Sequence, residues 1–350
     1  MAASTVPSAS SAPLPWTARL AAWRYAFLTT NPPEQGVVDG VTRWLVVTRA
    51  GVLPMTLTSG LLAVLLAAIA PDTVAVDWLN VTLAVIGIVI AHLANNLMND
   101  LADTQVGNDT KDYPRALYAP HPILAGLVTT KQMIAGVLAC QVLDLAIMVT
   151  LIVRQDWWIA AFALGGLFLS YAYTAPPLRL KKIGLGELDV LLTWGPLMVG
   201  GVYYAGTGMV AWQVLVAATV YAILPVTVLM GKHIDKLPYD KPGGTHTFPV
   251  IIGDRAARML TQAMMVAFYL GVVALVATKA LPWPALLVVL ALPRAVSAVR
   301  AFNRPKPTQA PPDNPVWPLY WAPIAFLHTR RAGGLLLLGL LAWAIWLAVR

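Results

Sequence analysis

The chain is 350 residues long, 58% hydrophobic and only 11% charged, with a formal net charge of +8. A water-soluble domain carries roughly 25% charged residues, so a soluble globule is excluded. A single cysteine also excludes an internal disulfide and a cysteine-rich metal centre.

Residues 1–13 are rich in Ala, Ser and Pro, which predicts a disordered leader. Over 15–29, Trp16, Leu20, Trp23 and Phe27 recur every three or four positions with Arg19 and Arg24 between them. That spacing predicts an amphipathic helix lying in a membrane interface, so 14–48 reads as an interfacial region. From residue 49 onward long apolar blocks dominate, and a membrane-crossing helix needs about 20 mostly apolar residues. Nine blocks qualify: 50–70, 76–100, 131–153, 157–174, 188–206, 211–233, 257–279, 281–299 and 333–349. The first begins behind too long a polar leader for an ordinary cleaved signal peptide. The expectation is an all-α polytopic membrane protein over 49–350, with nine transmembrane helices around a central apolar cavity. Residues 303–318, rich in proline, form an irregular loop within it.

The basic residues orient this bundle. All but Arg154, Lys279 and Arg350 of the 24 Lys and Arg fall in the leader, in 101–130, 175–187, 234–256 and 300–332, or at the helix ends beside them. By the positive-inside rule these segments are cytoplasmic and the C-terminus is outside, an arrangement that suits a bacterial inner membrane. The net charge is therefore a topology signal, with the lipid bilayer and an anionic substrate as partners, and no nucleic acid is required. The long inner loops also carry most of the acids, so the chemistry is expected at the cytoplasmic face.

At the end of the second span, Asn96, Asp100 and Asp103 fall at i, i+4 and i+7 and share one helical face. His92 lies one turn deeper, and Asp109 and Asp112 follow Gly107. Ionised carboxylates at a helix C-terminus repel each other and face the negative end of the helix dipole. A bound cation resolves both, and Mg²⁺ matches oxygen ligands that it shares with substrate phosphates. The plainer reading is a solvated cap that ends the span. After the sixth span come Lys232, His233, Asp235, Lys236, Asp240 and Lys241. Asp235 and Asp240 are five apart with Pro238 between them, so this is either a second acidic half-site or a mixed-charge loop. Asp254 reads as an N-cap for the seventh span.

In the loop after the fourth span, Arg179 and Lys181 are placed to clamp a phosphate, and Lys182 reads as a headgroup anchor. Tyr173 is either a belt aromatic or a wall of the site. Gln141 and Asp144 lie inside the third span, where a carboxylate either lines a cavity or is satisfied by its neighbour. Cys140 reads as packing. Acids and cations at one membrane face, below an apolar bundle, suit a ligand with a diphosphate head and a long hydrocarbon tail. Loss of the diphosphate leaves an allylic cation, which Tyr173, Tyr203 and Tyr204 could steady and which must be kept from water.

Asn96-x-x-x-Asp100-x-x-Asp103 with Gly107-x-Asp109, followed by Asp235 and Asp240 before Gly-Gly-Thr, resembles the UbiA superfamily of membrane prenyltransferases. Within it, His121-Pro-Ile-Leu-Ala-Gly-Leu-Val and Tyr173-Thr-Ala-Pro-Pro-Leu-Arg with Gly-Leu-Gly-Glu are most similar to the 1,4-dihydroxy-2-naphthoate prenyltransferases of the menaquinone pathway. The resemblance implies Mg²⁺-dependent transfer of a polyprenyl chain from its diphosphate to a small aromatic acceptor. It also implies that Asn96, Asp100 and Asp103 hold one metal and Asp235 and Asp240 a second, with Asp109 assisting. Arg179, Lys181 and Lys232 would then hold the prenyl diphosphate beside Tyr173. The chain departs from the branch at Gly231-Lys-His-Ile-Asp235, where the branch carries Asn-Asn-x-Arg-Asp, and its Asp-to-Asp spacing is one residue longer. These departures keep a rival reading open, a class I terpene cyclase that ionises the same diphosphate without an acceptor. A transporter is disfavoured because the acids gather at one face and form no path across.

Overall fold

The computed structural model describes residues 15–33, 38–105, 117–312 and 314–350, without the side chains of Asp103 and Gln105. Every regular element among the described residues is helical. Two helices precede the bundle, α1 (Trp16–Thr29) and α2 (Gly40–Val47). The bundle follows with α3 (Leu53–Ala68), α4 (Trp78–Gln105), α5 (Thr130–Arg154), α6 (Trp158–Thr174), α7 (Gly186–Leu192) and α8 (Met198–Thr207). It closes with α9 (Trp212–Asp240), α10 (Phe248–Ile252), α11 (Asp254–Ala277), α12 (Leu292–Phe302) and α13 (Trp321–Ala348). Caps set several starts. Asp77 accepts from the N–H groups of Leu79 and Asn80, both at 3.0 Å, at the head of α4, and Thr129 and Gln132 form a reciprocal capping box at the head of α5.

Among the described residues, seven helical segments are long and apolar enough to cross a membrane: Ala50–Ala68, Trp78–Ala102, Thr130–Arg154, Trp212–Asp240, Asp254–Ala277, Trp283–Phe302 and Trp321–Ala348. The chain is a multi-pass membrane protein. Two of the nine expected spans take another form. The block 157–174 is α6, an apolar helix of 17 residues from Trp158 to Thr174. The block 188–206 is interrupted by a π turn over Thr193–Leu197, where Pro196 supplies no N–H and Gly195 leaves helical geometry at φ −98° and ψ −105°. A Cβ on Gly195 would lie 2.9 Å from Ala222 Cβ and 3.0 Å from the Ala218 carbonyl oxygen, so the break also lets this strand of the bundle press against α9.

The last helix begins at Trp321, well before the expected 333. His328, Arg330 and Arg331 depress the local hydropathy without breaking a helix, since Arg is a good helix former. α1 forms where expected, but the face it buries is Ala22 and Ala26, while Trp16, Leu20 and Leu28 stay exposed. Asp254 is the first helical residue of α11 and not its cap, and it pairs with Arg258 at 2.6 Å.

α9 is the central post of the bundle. Most of its residues from Val214 to Ile234 are buried, it packs against α11 and α13, and the Tyr221 hydroxyl donates to the Met55 carbonyl at 2.9 Å. α5 presents Leu138, Val142, Leu143, Val149 and Val153 outward, as a lipid-facing helix does. Exposed Trp78, Trp157, Trp158, Trp212 and Trp283 all stand at the starts of segments at the end remote from Asp100, the place of an interfacial aromatic belt. At that end Arg154 reaches Asp77 at 2.7 Å and Asn80 at 2.6 Å. The Asn80 N–H, together with Arg154, holds the Asp77 carboxyl below its ordinary range.

Candidate active site

The C-terminal end of α4 carries two polar stripes. His92, Asn96 and Asp100 recur every four residues and are all buried. Beside them, Asn95 accepts from the Ser170 hydroxyl at 2.8 Å and Asn99 from the Thr174 hydroxyl, which docks α4 onto α6. The first stripe meets the junction of α2 and α3. The Asn96 amide donates to the Thr48 carbonyl at 2.9 Å, and Arg49 forms an ion pair with Asp100. Arg49 has a left-handed backbone, φ 53°, at the head of the turn Ala50–Val52, which points its side chain back at α4. In the sequence, Arg49 is one more basic residue at the end of a span. A long-range pair between residues 49 and 100 leaves no trace in local spacing.

Deeper in the bundle, His92 Nδ1 meets the Thr56 hydroxyl, and the Trp194 ring stands edge-on to His92 with centroids 5.5 Å apart. Ser59 donates to the Trp194 carbonyl at 2.7 Å. Trp194, on the π turn, is the aromatic that the fold brings under the acid stripe. Tyr204 lies at the remote end, where its hydroxyl donates to Asp156 at 2.6 Å, and Tyr203 is buried in the same core. The expectation that these two tyrosines wall the reacting carbon is therefore corrected. Gln141 and Asp144 do not satisfy each other either. Gln141 points to Met98 Sδ at 3.6 Å, and Asp144 Oδ1 is buried without a hydrogen bond.

Lys232 on α9 lies within electrostatic reach of Arg49, Lys181 and Lys236. Lys181 Nζ sits 6.0 Å over the Tyr173 ring. Arg179 adopts φ 47°, and its Nε is buried without a hydrogen-bond partner. His246 N–H donates to the Lys182 carbonyl at 3.1 Å, which ties the Arg179 loop to the segment after α9. His121 caps its own turn, with Nδ1 accepting from the N–H groups of Ile123 and Leu124 at 3.3 Å each.

On α9, Asp235 and Asp240 point to different partners. Asp235 accepts from the N–H of Tyr320 at 2.8 Å and of Ala322 at 3.0 Å, and Lys306 Nζ stands 3.3 Å from its other oxygen. Asp240 faces Lys236 at 3.7 Å. His233 Nδ1 lies 2.8 Å from Glu187 Oε1 on α7, both buried, and Asp189 is buried beside them in sequence. This pair was not anticipated. The visible signal was Gly-Leu-Gly-Glu and a histidine inside a charge run.

Asp103 belongs to α4, but its side chain lies outside the described residues, as do Asp109 and Asp112. Among the described residues no three His, Cys, Asp or Glu side chains gather as a metal site. The α4 donors nevertheless fit a hard cation in kind. The Asn96 amide nitrogen is spent on Thr48, which leaves its oxygen as the donor, and the Asp100 carboxylate is fully buried against a guanidinium.

The model of the UbiA prenyltransferase family matches residues 60–312. The chain belongs to this family. Among curated relatives, the 2-carboxy-1,4-naphthoquinone phytyltransferase of Synechocystis is 29% identical over 59% of this chain and 65% of its own length, just under two thirds. The 1,4-dihydroxy-2-naphthoate octaprenyltransferase of Bacillus subtilis is 28% identical over 71% of this chain and 79% of its own. Among solved structures, an apo UbiA homolog from Aeropyrum pernix superposes with a TM-score of 0.63 at 16% identity, covering 83% of this chain and 96% of that one. A UbiA homolog from Archaeoglobus fulgidus bound to GPP and Mg²⁺ gives 0.55 at 15% identity, covering 84% and 99%. These likenesses show the shared fold.

Proposed function

We propose that this UbiA-family protein transfers a polyprenyl chain from its diphosphate to a small aromatic acceptor of the 1,4-dihydroxy-2-naphthoate kind, using Mg²⁺. The observation that carries the reading is the buried Asn96–Asp100 stripe ion-paired with Arg49, with Lys232 within electrostatic reach of that guanidinium and of Lys181. The printed activities of the Synechocystis and Bacillus relatives support the acceptor class, and the Mg²⁺ and GPP of the Archaeoglobus structure support the metal and the diphosphate.

In this reading Asn96, Asp100 and Asp103 hold the metal, with Asp109 assisting and Asp240 across from them. When bound, the cation neutralises charge on the departing diphosphate. Arg179 and Lys181 orient the phosphates, Arg179 through its planar fork. Tyr173 and Trp194 offer ring faces to the carbon left positive. The apolar interior of the bundle keeps water from that carbon. The site faces the cytoplasm, as the distribution of basic residues requires, in a bacterial inner membrane with the N-terminus inside and the C-terminus outside.

The test is mass spectrometry of products from the purified protein and a series of prenyl diphosphates, with and without dihydroxynaphthoate. The reading expects a prenylated naphthoquinol only when Mg²⁺ and acceptor are both present. A cyclic hydrocarbon formed from the diphosphate alone would instead make the chain a cyclase, the alternative that the altered run Gly231–Asp235 leaves standing.

A further inference from the structure

The span Trp283–Phe302, which ends in α12, runs antiparallel to α13, and two contacts fix their register. At one end the Trp321 indole donates to the Ala301 carbonyl at 3.3 Å, and its ring lies 6.3 Å from that of Phe302. At the other end a Cβ on Gly339 would lie 3.0 Å from the Ala285 nitrogen. Trp321 and Gly339 are about five helical turns apart and so mark one face of α13, the face that meets the neighbouring span. Eight residues back from Phe302 and eight on from Trp321, Arg294 stands level with Thr329.

Three arginines are exposed at this level: Arg294, Arg330 and Arg331. Helical geometry sorts them. Arg294 lies two turns before Ala301, on the flank of α12 that Trp321 touches. Arg331 is turned by about 80° from the face of α13 that meets α12, and Arg330 by about 180°. The Arg330 guanidinium rests instead over the Phe326 ring at 5.8 Å. Arg294 and Arg331 therefore border one seam on the lipid side, and Arg330 does not. Arg331 lies about 22 Å along the helix from Trp346, which stacks on Trp343 at the remote end. The hydrocarbon layer is about 30 Å thick, so Arg331 starts within it and its side chain reaches the headgroups on the Asp100 side.

A guanidinium at this depth needs a counter-charge. Neither the span Trp283–Phe302 nor α13 contains an Asp or Glu. On α11, the acid Asp254 is taken by Arg258 at 2.6 Å. Behind the seam the Tyr269 hydroxyl meets His328 Nε2 at 2.9 Å, a pair without a carboxylate. We infer that the seam of α12 and α13 binds one anionic phospholipid of the leaflet on the Asp100 side, with the headgroup phosphate held between Arg294 and Arg331. The planar fork of each guanidinium matches two phosphate oxygens. Exposed Leu338, two turns along α13 from Arg331, and exposed Leu290 lie where the acyl chains descend. A zwitterionic headgroup brings its own ammonium to the same phosphate and gains less from two guanidiniums. The seam uses none of the residues assigned to the diphosphate or the metal.

The experiment is native mass spectrometry of the purified full-length protein in detergent, titrated with dioleoyl phosphatidylglycerol and, separately, with dioleoyl phosphatidylcholine. Wild type holds phosphatidylglycerol about tenfold more tightly, as two basic residues at a headgroup imply. Arg294→Gln and Arg331→Gln each weaken phosphatidylglycerol binding by about tenfold, the scale of one charge-assisted contact. Arg330→Gln leaves it unchanged, and millimolar inorganic phosphate does not displace the lipid. Equal affinity of wild type for the two lipids overturns the inference without use of any variant. An equal loss in all three variants, each eluting as monodisperse protein, overturns it in favour of bulk charge. Displacement by inorganic phosphate overturns it in favour of a soluble anion.

Discussion

The last turns of α4 and of α9 both repeat polar residues every four positions, Asn96 and Asp100 on α4 and Lys232 and Lys236 on α9, but their carboxylates meet different partners. On α4 the acid is met by Arg49 from the turn before α3, and the neighbouring stripe of Asn95 and Asn99 is used for docking onto α6. On α9 the arrangement is reversed. The acid Asp235 is used for docking, onto the start of α13, and Lys236 faces Asp240 at 3.7 Å. The comparison teaches that an acidic residue near a site is not a ligand by composition. One step along a helix, about 100°, decides whether a carboxylate faces substrate or caps a neighbouring helix.

The largest effect is expected at Asp100. Asp100→Asn keeps the shape of the side chain and removes its charge, and turnover per folded protein should fall by about 10²–10³, the scale of one lost electrostatic contact in a transition state. A monodisperse variant that keeps more than about a tenth of wild-type turnover would return α4 to the role of a solvated cap. Next comes Arg179→Ala, expected to raise the apparent KM for prenyl diphosphate about tenfold, against no change for Lys182→Ala. Equal effects in steady-state kinetics would mean that this loop acts through bulk charge alone.

Asp235→Asn sharpens the comparison from the other side. It should lower stability by about 1–2 kcal/mol, as lost N-caps do, read as an earlier thermal unfolding transition in detergent. Turnover per folded protein should stay within about threefold of wild type, and a loss matching that of Asp100→Asn would make Asp235 a ligand. The smallest effect is expected at Arg154→Ala, which removes the half-exposed pair with Asp77 at the remote end. It should leave the same unfolding transition almost unmoved, because solvent screens such an exposed pair, and leave turnover unchanged.

Much of the fold was legible because the bilayer demands long apolar helices, and seven segments meet that demand by length and hydropathy. The break at Gly195–Pro196 was less legible, since an apolar block reads the same whether or not its hydrogen-bond ladder continues. The start of α13 was misplaced because hydropathy falls at Arg330 and Arg331 where helicity does not. In the site, the face shared by Asn96 and Asp100 followed from spacing alone. The roles of Arg49, of Asp235 and of the Glu187–His233 pair did not, because each depends on a partner between 46 and 87 residues away. Tyr203 and Tyr204 were legible as aromatics on a span, but their depth depends on where the broken helix places them.

The central claim is that the metal is held by the acid stripe of α4. Its most direct test counts the bound cations. Mn²⁺ can replace Mg²⁺ as a spectroscopic probe, and equilibrium titration followed by electron paramagnetic resonance in saturating pyrophosphate gives the number held per protein. The account predicts one ion per chain, lost in Asp100→Asn and retained in Asp235→Asn. Two ions per chain, or one that is lost in Asp235→Asn and kept in Asp100→Asn, would contradict it.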